Sequence, residues 1–431
     1  MATVYSLVCE NGSAGTYWSG LTAAQKLRYG PVGLERVYGG LEAWYSARTA
    51  AGVGAFDVEV CEIGDAFEDV ISSEIIISLV CDSIYITSKI NGVRSAAFHG
   101  GVVGAGYRLK TSTTWQEMIK IFSRYTTIDG ISFNIYNGGG TGIRTEAPFL
   151  EIKNNIIYGR AGQSSIGGMY IYDGSVACNI ANNLVLRGSA RGIRVGTYDS
   201  AQLSKIYNNT VAQCNQGISA NTANFELYNN VCFDNTDDYY GTISTKDSTA
   251  ALYNAGPAGS APFDTGTTAI ETVTSSDFVN SGNDDYRLAS SSSLIGAGMT
   301  INRVNAIDQL DSPRPNYNPD GEEEWDIGCY EYDHGNGLAP TAVTVEIDGM
   351  IEGSVMAIYN SSTGAEIVAP TTIGATGKYT DSSFVYTADV PVNVVVRKAT
   401  SPIKYLPYNA MGTIGSNGLS ITVSQVEDAV A

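Results

Sequence analysis

The sequence is poor in charge, in basic residues and in histidine. Only 16% of its 431 residues are charged, and 25 lysines and arginines stand against 44 aspartates and glutamates, a formal net charge of −19. Nucleic acids and anionic membranes are bound through clustered Lys and Arg. This balance argues against both, and we expect no nucleic-acid partner and no membrane insertion.

Metal-binding residues are also scarce. The chain has 2 histidines and 7 cysteines, and no two cysteines have the CxxC spacing. A structural zinc site needs four such ligands close together. We therefore expect no metal and no cofactor, and we interpret the cysteines as small buried apolar residues.

The first twenty residues lack the features of an export signal. The first basic residue is Lys26, and no apolar run near it is long enough for a signal peptide or a membrane span. The sequence thus predicts a protein that is assembled in a cytoplasm and reaches the outside by another route, such as lysis of the cell.

The sequence is rich in glycine and tyrosine and contains an internal repeat. Four segments carry an apolar residue followed by a pair of asparagines, and a second series has a glycine before an apolar residue. The apolar anchors are Ile152, Ile180, Ile206 and Leu227, at intervals of 28, 26 and 21 residues, and the glycines are Gly142, Gly168, Gly192 and Gly217, at intervals of 26, 24 and 25. Two series that keep one period indicate a repeat architecture.

The period and the alternation of side chains predict the fold. Apolar and polar residues alternate around each anchor, which indicates strands, and about 25 residues match one coil of a parallel β-helix better than a leucine-rich repeat or a propeller blade. Asparagine tolerates the left-handed backbone of a sharp bend. We expect the amides of successive coils to form a hydrogen-bonded ladder, with these members: Asn155, Asn183, Asn209 and Asn230.

The segments on either side of the repeat predict two further parts. Helical periodicity near Leu41, Trp44 and Tyr45 predicts an N-terminal helical cap. After residue 340 the chain changes to short alternating strands, which predicts a small C-terminal β-sandwich of the immunoglobulin-like type. The predicted domains are 1–51 (strand and helical cap), 52–337 (parallel β-helix) and 338–431 (β-sandwich).

Several segments resemble a known group of proteins. "YGGLEAWYSAR", "IYITSKINGVR" and, near the end of the repeat, "DFVNSGNDDYRLASSSSLIGAG" and "DIGCYEYD" resemble right-handed parallel β-helix proteins, of the pectate-lyase-like kind, from bacteria and tailed bacteriophages. The C-terminal "VVVRKATSPIKYLPYNAMG" is similar to modules of phage virion structural proteins. The resemblance implies a right-handed, all-β fold, and it is specific for architecture rather than for activity.

Candidate catalytic residues are few. A glycoside hydrolase needs two carboxylates within about 5 to 10 Å of each other, and Asp173 and Asp199, about one coil apart, are the nearest pair in the sequence. Acidic residues in such Gly- and Ser-containing loops are more often turn formers. The sequence therefore assigns no catalytic residue beyond these two weak candidates.

The positions after the glycine turns form a more distinctive pattern. Arg144, Tyr170 and Arg194 are predicted to stack on successive coils, with Tyr172 beside them. Arginine and tyrosine often anchor protein interfaces and also bind sugars. We interpret these residues as an interface or as a glycan-binding surface, the alternative being an ordinary solvated face.

Taken together, the patterns predict a non-enzymatic bacteriophage virion surface protein, either a capsid decoration (cement) protein or a fibre-like component. The alternative is a tailspike-type enzyme that binds or depolymerises polysaccharide as a hydrolase or lyase. The expected partners are further copies of the chain in a homotrimer, other virion proteins such as the major capsid protein, and a host surface glycan. The seam of the trimer would use the Arg/Tyr positions or the C-terminal domain.

Overall fold

The chain divides into two compact units, Met1–Tyr332 and Asp333–Ala431. A computed structural model describes the following residues: 3–52, 57–111, 117–135, 140–159, 167–172, 177–196, 204–221, 225–242, 251–258, 270, 272–299, 301, 309–310, 316–317, 323–332, 341–360, 366–386, 390–398, 405–414 and 419–422. Among these residues, no helix is both long and apolar enough to cross a membrane.

The first unit begins with a strand and three short helices. Their bounds are β1 Thr3–Val8, α1 Thr16–Gly20, α2 Ala23–Leu27, β2 Val37–Tyr38 and α3 Leu41–Ala51, with a 3₁₀ turn at Gly12–Ala14. Asp69 caps α3, because its Oδ2 accepts a hydrogen bond from the Leu41 amide at 2.7 Å. The apolar face of α3 buries Leu41 and Trp44 in the same cluster as the first coils.

Three parallel sheets then form a β-solenoid. The strands are β3 Val58–Ile63, β4 Glu68–Ile71, β5 Ile75–Ile77, β6 Ser83–Thr87, β7 Lys89–Ile90, β8 Val93–Arg94, β9 Arg108–Thr111, β10 Ile119–Ile121, β11 Thr126–Asp129, β12 Ser132–Ile135, β13 Thr141–Thr145, β14 Glu151–Lys153, β15 Ile156–Gly159, β16 Gly167–Ile171, β17 Asn179–Ala181, β18 Leu184–Leu186, β19 Arg191–Gly196, β20 Ser204–Tyr207, β21 Thr210–Ala212, β22 Gln216–Asn221, β23 Phe225–Tyr228, β24 Val231–Phe233, β25 Asp237–Thr242 and β26 Ala251–Leu252.

From β3 to β25, each coil contributes one strand to each sheet; sheet 1 also includes β1, β2 and β26, and β7 and β8 pair only with each other, antiparallel. Sheet 1 has the order β2-β1-β3-β6-β11-β14-β17-β20-β23-β26, sheet 2 the order β4-β9-β12-β15-β18-β21-β24, and sheet 3 the order β5-β10-β13-β16-β19-β22-β25. The repeat anchors pair in register across sheet 1, Ile152 with Ile180, Ile180 with Ile206 and Ile206 with Leu227. All four side chains are fully buried. The parallel β-solenoid predicted from the repeat is confirmed.

The first asparagine of each pair forms the corner between sheets 1 and 2. Asn154, Asn182, Asn208 and Asn229 have φ values of 57°, 53°, 53° and 54°. This left-handed conformation is unfavourable for most side chains and is tolerated by asparagine. The corner therefore explains why the sequence repeats asparagine at this point.

The second asparagine of each pair points into the solenoid. Asn155 Nδ2 donates to Asn183 Oδ1, Asn183 Nδ2 to Asn209 Oδ1, and Asn209 Nδ2 to Asn230 Oδ1, each at 3.0 Å. The ladder continues from Asn230 to Asn254, also at 3.0 Å. Buried amides are thus satisfied by one another and by backbone groups, as burial requires.

A second core lies outside the coils. Beyond β26 the chain has β27 Phe278–Asn280 and β28 Asp285–Leu288, 3₁₀ turns at Ser275–Asp277 and Ser281–Asn283, and the short strands β29 Asn316–Tyr317 and β30 Glu323–Glu324. Phe278, Leu294 and Ile327 from this segment pack with Leu184 and Leu186 on the outer side of sheet 2. This covering explains why sheet 2 is apolar on both faces, as expected for a parallel strand buried on both sides.

The second unit contains two small sheets. Its strands are β31 Thr341–Asp348, β32 Val355–Asn360, β33 Glu366–Thr372, β34 Tyr379–Tyr386, β35 Val390–Lys398, β36 Tyr405–Ile414 and β37 Leu419–Thr422. They form the orders β34-β31-β37 and β33-β32-β35-β36, antiparallel except between β31 and β37. Val345, Ile358 and Val394 belong to one buried cluster drawn from both sheets.

Candidate binding face

The outer surface of sheet 3 carries one residue from each of its seven strands in a single register. The pairing aligns these residues in the order Ile76, Lys120, Arg144, Tyr170, Arg194, Ser219 and Tyr240. We call this set the outer row. Its side chains point outward because they alternate with buried neighbours such as Ile143 and Ile193.

Parallel pairing brings the predicted Arg/Tyr residues together. The Arg194 guanidinium lies over the Tyr170 ring at 4.3 Å, and the Arg144 guanidinium lies over the Tyr172 ring at 4.7 Å. Tyr170 and Tyr172 meet edge to face, with 5.1 Å between ring centroids. Such cation–π and aromatic contacts stabilise the arrangement and hold the side chains in fixed positions.

At one end of the outer row the charges are compensated. Arg144 Nη1 lies 2.9 Å from Glu117 Oε1, and its Nη2 lies 2.7 Å from Glu146 Oε1. Lys120 Nζ lies 3.3 Å from the same Glu146 oxygen. Arg144 is therefore engaged within the chain, which reduces its capacity to bind an external anion.

A carboxyl pair adjoins this end. Burial, followed by a hydrogen bond to Glu117, raises the pKa of Glu74 from 4.5 to about 7. Burial alone would raise the pKa of Glu117 as well, but its hydrogen bonds with Arg144 and other groups hold it below the ordinary value. The two groups therefore share one proton, with Glu74 as the acid.

The chemistry open to this pair is limited by its geometry. The carboxyls of glycoside hydrolases stand about 5 to 10 Å apart, so that a sugar or a water fits between them. Glu74 and Glu117 are hydrogen bonded directly to each other, which leaves no such gap. The pair can donate or accept a proton near neutral pH, but it does not have the two-carboxylate spacing of a hydrolase.

The sequence interpretation missed this pair. Glu74 and Glu117 are far apart in the chain, and each precedes an isoleucine-rich strand of sheet 3, in "EIII" and "EMIKI". Aligning these two strands as neighbours would have placed the acids near each other. The repeat was recognised only from residue 142 onward, so the first coils had no such alignment.

The two catalytic candidates, and the histidine and cysteine side chains, have different outcomes. Asp173 and Asp199 lie outside the described residues. His99 is buried and structural, because its Nε2 bonds to Asn154 O at 2.7 Å and its Nδ1 accepts from the Gly101 amide at 3.0 Å. Of the cysteines, Cys81 is half-buried and the other six are buried, all with free thiols. Among the described residues, no group of three or more His, Cys, Asp or Glu side chains is arranged to hold a metal ion.

The fold and the outer row define the chain as a parallel β-solenoid protein with an arginine- and tyrosine-bearing outer face. No protein-family model matches the chain, and no curated protein matches its sequence.

Proposed function

We propose that this chain is a non-enzymatic protein of a bacteriophage virion surface, either a capsid decoration protein or a fibre component. The observation that carries the proposal is the continuous parallel pairing of the coils around a buried amide ladder. Such a scaffold suits a protein that holds a shape and presents a surface. The resemblance of its sequence segments to phage proteins supports the same assignment.

The finer architecture forms part of this proposal. We assign α3 as the cap of a right-handed β-helix, because its Arg48 makes two hydrogen bonds, 2.7 and 2.8 Å long, to the fully buried Glu59 of the first coil. Exposed coil ends need such covering, since their strand edges would otherwise pair with other chains. We assign the two sheets of the second unit as a β-sandwich, on the basis of their shared core.

Self-association is assigned to the second unit. Its strand β36 pairs with β35 along one edge, and among the described residues no strand pairs along its other edge. An edge strand of this length can add a strand from another chain. We propose that this edge contributes to a homotrimer and to contacts with the major capsid protein.

The first test is an inventory of purified virions by quantitative mass spectrometry, for the phage that encodes this chain. Hundreds of copies per particle would support a capsid decoration protein, and fewer than about twenty would support a tail component. Absence from the particle would overturn the virion assignment.

Light scattering tests the self-association separately. The full chain should have the mass of a trimer, and a chain that ends at Asp333 should keep its far-ultraviolet spectrum but have the mass of a monomer. Arg194→Gln, which changes sheet 3 and leaves the second unit unchanged, should leave the trimer intact. A full-length chain that is monomeric in solution and on the particle would contradict this assignment.

A second candidate function is a polysaccharide-cleaving enzyme. The specific observation that favours it is the Glu74 carboxyl, whose pKa of about 7 suits proton transfer near neutral pH. Incubation with host polysaccharide, followed by assays for reducing and unsaturated ends, would detect turnover. Turnover that Glu74→Gln abolishes and Glu68→Gln preserves would replace the structural assignment, since Glu68 is an ion-paired carboxylate on sheet 2.

A further inference from the structure

The loop of residues 95–106, between β8 and β9, packs at the corner between sheets 1 and 2. We call it the histidine loop. Its His99 is only 2% exposed, and the His99 Nε2 lies 2.7 Å from the backbone oxygen of the corner residue Asn154. The loop turns through four glycines at positive φ, which are Gly100, Gly101, Gly104 and Gly106.

The contacts of His99 fix the protonation state of its ring. The Asn154 carbonyl can only accept a hydrogen bond, so the Nε2 that faces it carries a hydrogen. The Gly101 amide can only donate, and it donates to Nδ1 at 3.0 Å, so Nδ1 carries none. From these two partners we assign His99 as the neutral ring with its hydrogen on Nε2.

A second segment rests on the same glycine. Residues 309–310 and 323–332, which we call the closing segment, contribute Leu310 and Tyr330 to this contact. The Tyr330 hydroxyl donates to Gly101 O at 3.0 Å, and a Cβ on Gly101 would come within 2.8 Å of a methyl carbon of Leu310. Gly101 therefore links the His99 ring, through its N–H, to the closing segment, through its carbonyl.

The closing segment is attached at the same corner by a second side chain. Gln309 Nε2 donates to the backbone oxygen of Asn155, the residue after Asn154, at 3.0 Å. Gln309 is fully buried, but its Oε1 has no hydrogen-bond partner in the described structure. A buried acceptor without a partner costs free energy, and this cost makes the attachment easier to open.

A proton on Nδ1 is incompatible with the closed arrangement. It would face the hydrogen of the Gly101 amide, and that amide would lose its acceptor. Burial also disfavours the charged form of the ring. His99 can take up the proton only when the histidine loop moves away from the corner, and this movement separates Gly101 O from the Tyr330 hydroxyl.

The charged side chains on the surrounding elements are already engaged with other groups. Asp129 of β11 pairs with Arg94 at 2.9 Å and accepts from Asn154 Nδ2 at 2.8 Å. A cationic His99 would thus have to compete with Arg94 for this carboxylate. The remaining groups have contacts within their own surroundings: Glu68 with Arg108, Glu151 with Lys153, and Glu331 with the Asp326 amide.

We propose that His99 and Gly101 form a pH-sensitive clasp, which holds the closing segment at neutral pH and releases it in mild acid. A proton from solvent goes to the Nδ1 lone pair, the hydrogen bond from the Gly101 amide breaks, and the Tyr330 contact opens with it. Release would uncover the apolar outer side of sheet 2, which includes Leu184 and Leu186. The inference goes beyond the virion assignment and does not depend on it.

The direction of the pH effect follows from proton linkage. A histidine in an open chain takes up a proton near about pH 6.5, whereas the closed clasp excludes it. Opening should therefore become more favourable as the pH falls below this value, by about tenfold for each pH unit until the closed form also binds the proton.

The test is hydrogen exchange of the full chain, followed by mass spectrometry at about pH 7.5 and about pH 5 and normalised to the unfolded chain at each pH. Protection in residues 95–107 and 323–332 should fall about tenfold or more at the lower pH. Peptides that contain β17 and β20, in the middle of sheet 1, should keep their protection.

Three variants separate the sensor from the contact that it controls. His99→Gln can still donate to Asn154 O but cannot take up a proton, so its protection should be the same at both pH values. Tyr330→Phe should leave the acid response of the histidine loop and abolish that of the closing segment. His334→Gln removes the other histidine of the chain and is the control that should respond as the parent does. Melting curves at neutral pH should show that all three variants are folded.

A measurement on the unaltered ring keeps the test independent of how these variants fold. The chain has 2 histidines, so ¹⁵N-labelled histidine gives two sets of ring signals in an NMR spectrum, and His334→Gln assigns them. His99 should show the neutral form with its hydrogen on Nε2 at about pH 7.5.

Four results would overturn the proposal. They are a His99 ring that is cationic or has its hydrogen on Nδ1 at neutral pH, equal protection of both segments at the two pH values, an acid response that His99→Gln keeps or His334→Gln removes, and a closing segment that still responds to acid in Tyr330→Phe. The third result would assign the response to other groups, such as the carboxylate of Asp129, and the fourth would show that Gly101 does not transmit it.

Discussion

Replacing Asn183 by alanine tests the amide ladder at its centre. The Asn183 side chain donates to Ile152 O at 2.9 Å and to Asn209 Oδ1 at 3.0 Å. Its Oδ1 accepts from both the backbone amide and the side-chain amide of Asn155, each at 3.0 Å. Asn183→Ala therefore removes four buried hydrogen bonds and leaves two donors of Asn155 without an acceptor.

The expected loss follows from the number of bonds. At about 1 kcal/mol for each buried hydrogen bond, with a further penalty for the orphaned donors, Asn183→Ala should lower the free energy of unfolding by about 4 kcal/mol or more. Urea titration followed by far-ultraviolet circular dichroism measures this change. Because a repeat array can open locally, hydrogen exchange at the Asn155 amide provides a second readout, and its protection should fall in the variant.

Asn208→Gly is the matched control. Asn208 occupies the corner of the next coil with φ 53°, and its Oδ1 has no hydrogen-bond partner in the described structure. Glycine adopts this conformation readily, so the change should alter stability by no more than about 1 kcal/mol. The reasoning would be refuted if Asn183→Ala lost less than about 1 kcal/mol, or if Asn208→Gly lost as much as Asn183→Ala.

Three other predictions concern packing, a buried ion pair and pH. A Cβ at Gly168 would overlap a carbonyl oxygen and a valine methyl group of the next coil, so Gly168→Ala should lower the melting temperature. Gly20 has open space around it, and Gly20→Ala should leave the melting temperature unchanged. Arg48→Met should destabilise the chain by about 3 to 5 kcal/mol in urea titration because it leaves the carboxylate of Glu59 buried without a partner, and adding Glu59→Gln should restore part of the loss. The folded protein holds the Glu74 proton up to about pH 7 and the unfolded chain releases it near 4.5, so stability should fall as the pH rises between these values. Glu74→Gln should remove that part of the slope in urea titrations at a series of pH values, and an unchanged slope would contradict the assigned proton.

The sequence by itself determined the coil. Its period follows from local requirements, since each turn from sheet 1 to sheet 2 needs a residue that tolerates positive φ, as at Asn182, followed by an amide that can bond to the next coil, as at Asn183. The glycines near the start of sheet 3 strands, such as Gly192 in β19, meet an equally local requirement, because a Cβ there would clash with the neighbouring coil. Each requirement recurs in successive coils, and the asparagines and glycines that meet it therefore recur periodically in the sequence.

The recognisable repeat ends at the last coil for the same reason. At the last coil the corner is Tyr253 with φ 56°, and Asn254 continues the ladder. Because a tyrosine occupies this corner, the coil has no pair of asparagines, and a search for such pairs does not find it. The segment around Phe278 packs on sheet 2 but is not part of the repeat. The period of the sequence therefore does not predict where this segment lies.

Only the tertiary structure decided which outward arginine is ion-paired within the chain. Arg144 and Arg194 occupy equivalent places in the repeat, and the Nε of each is buried without a hydrogen-bond partner in the described structure. Arg144 forms ion pairs with Glu117 and Glu146, whereas Arg194 packs against the Tyr170 ring. The charge around each arginine depends on residues of neighbouring coils and of the strand ends beside them. Because those contacts are lateral and differ from coil to coil, the repeat in the sequence does not encode them.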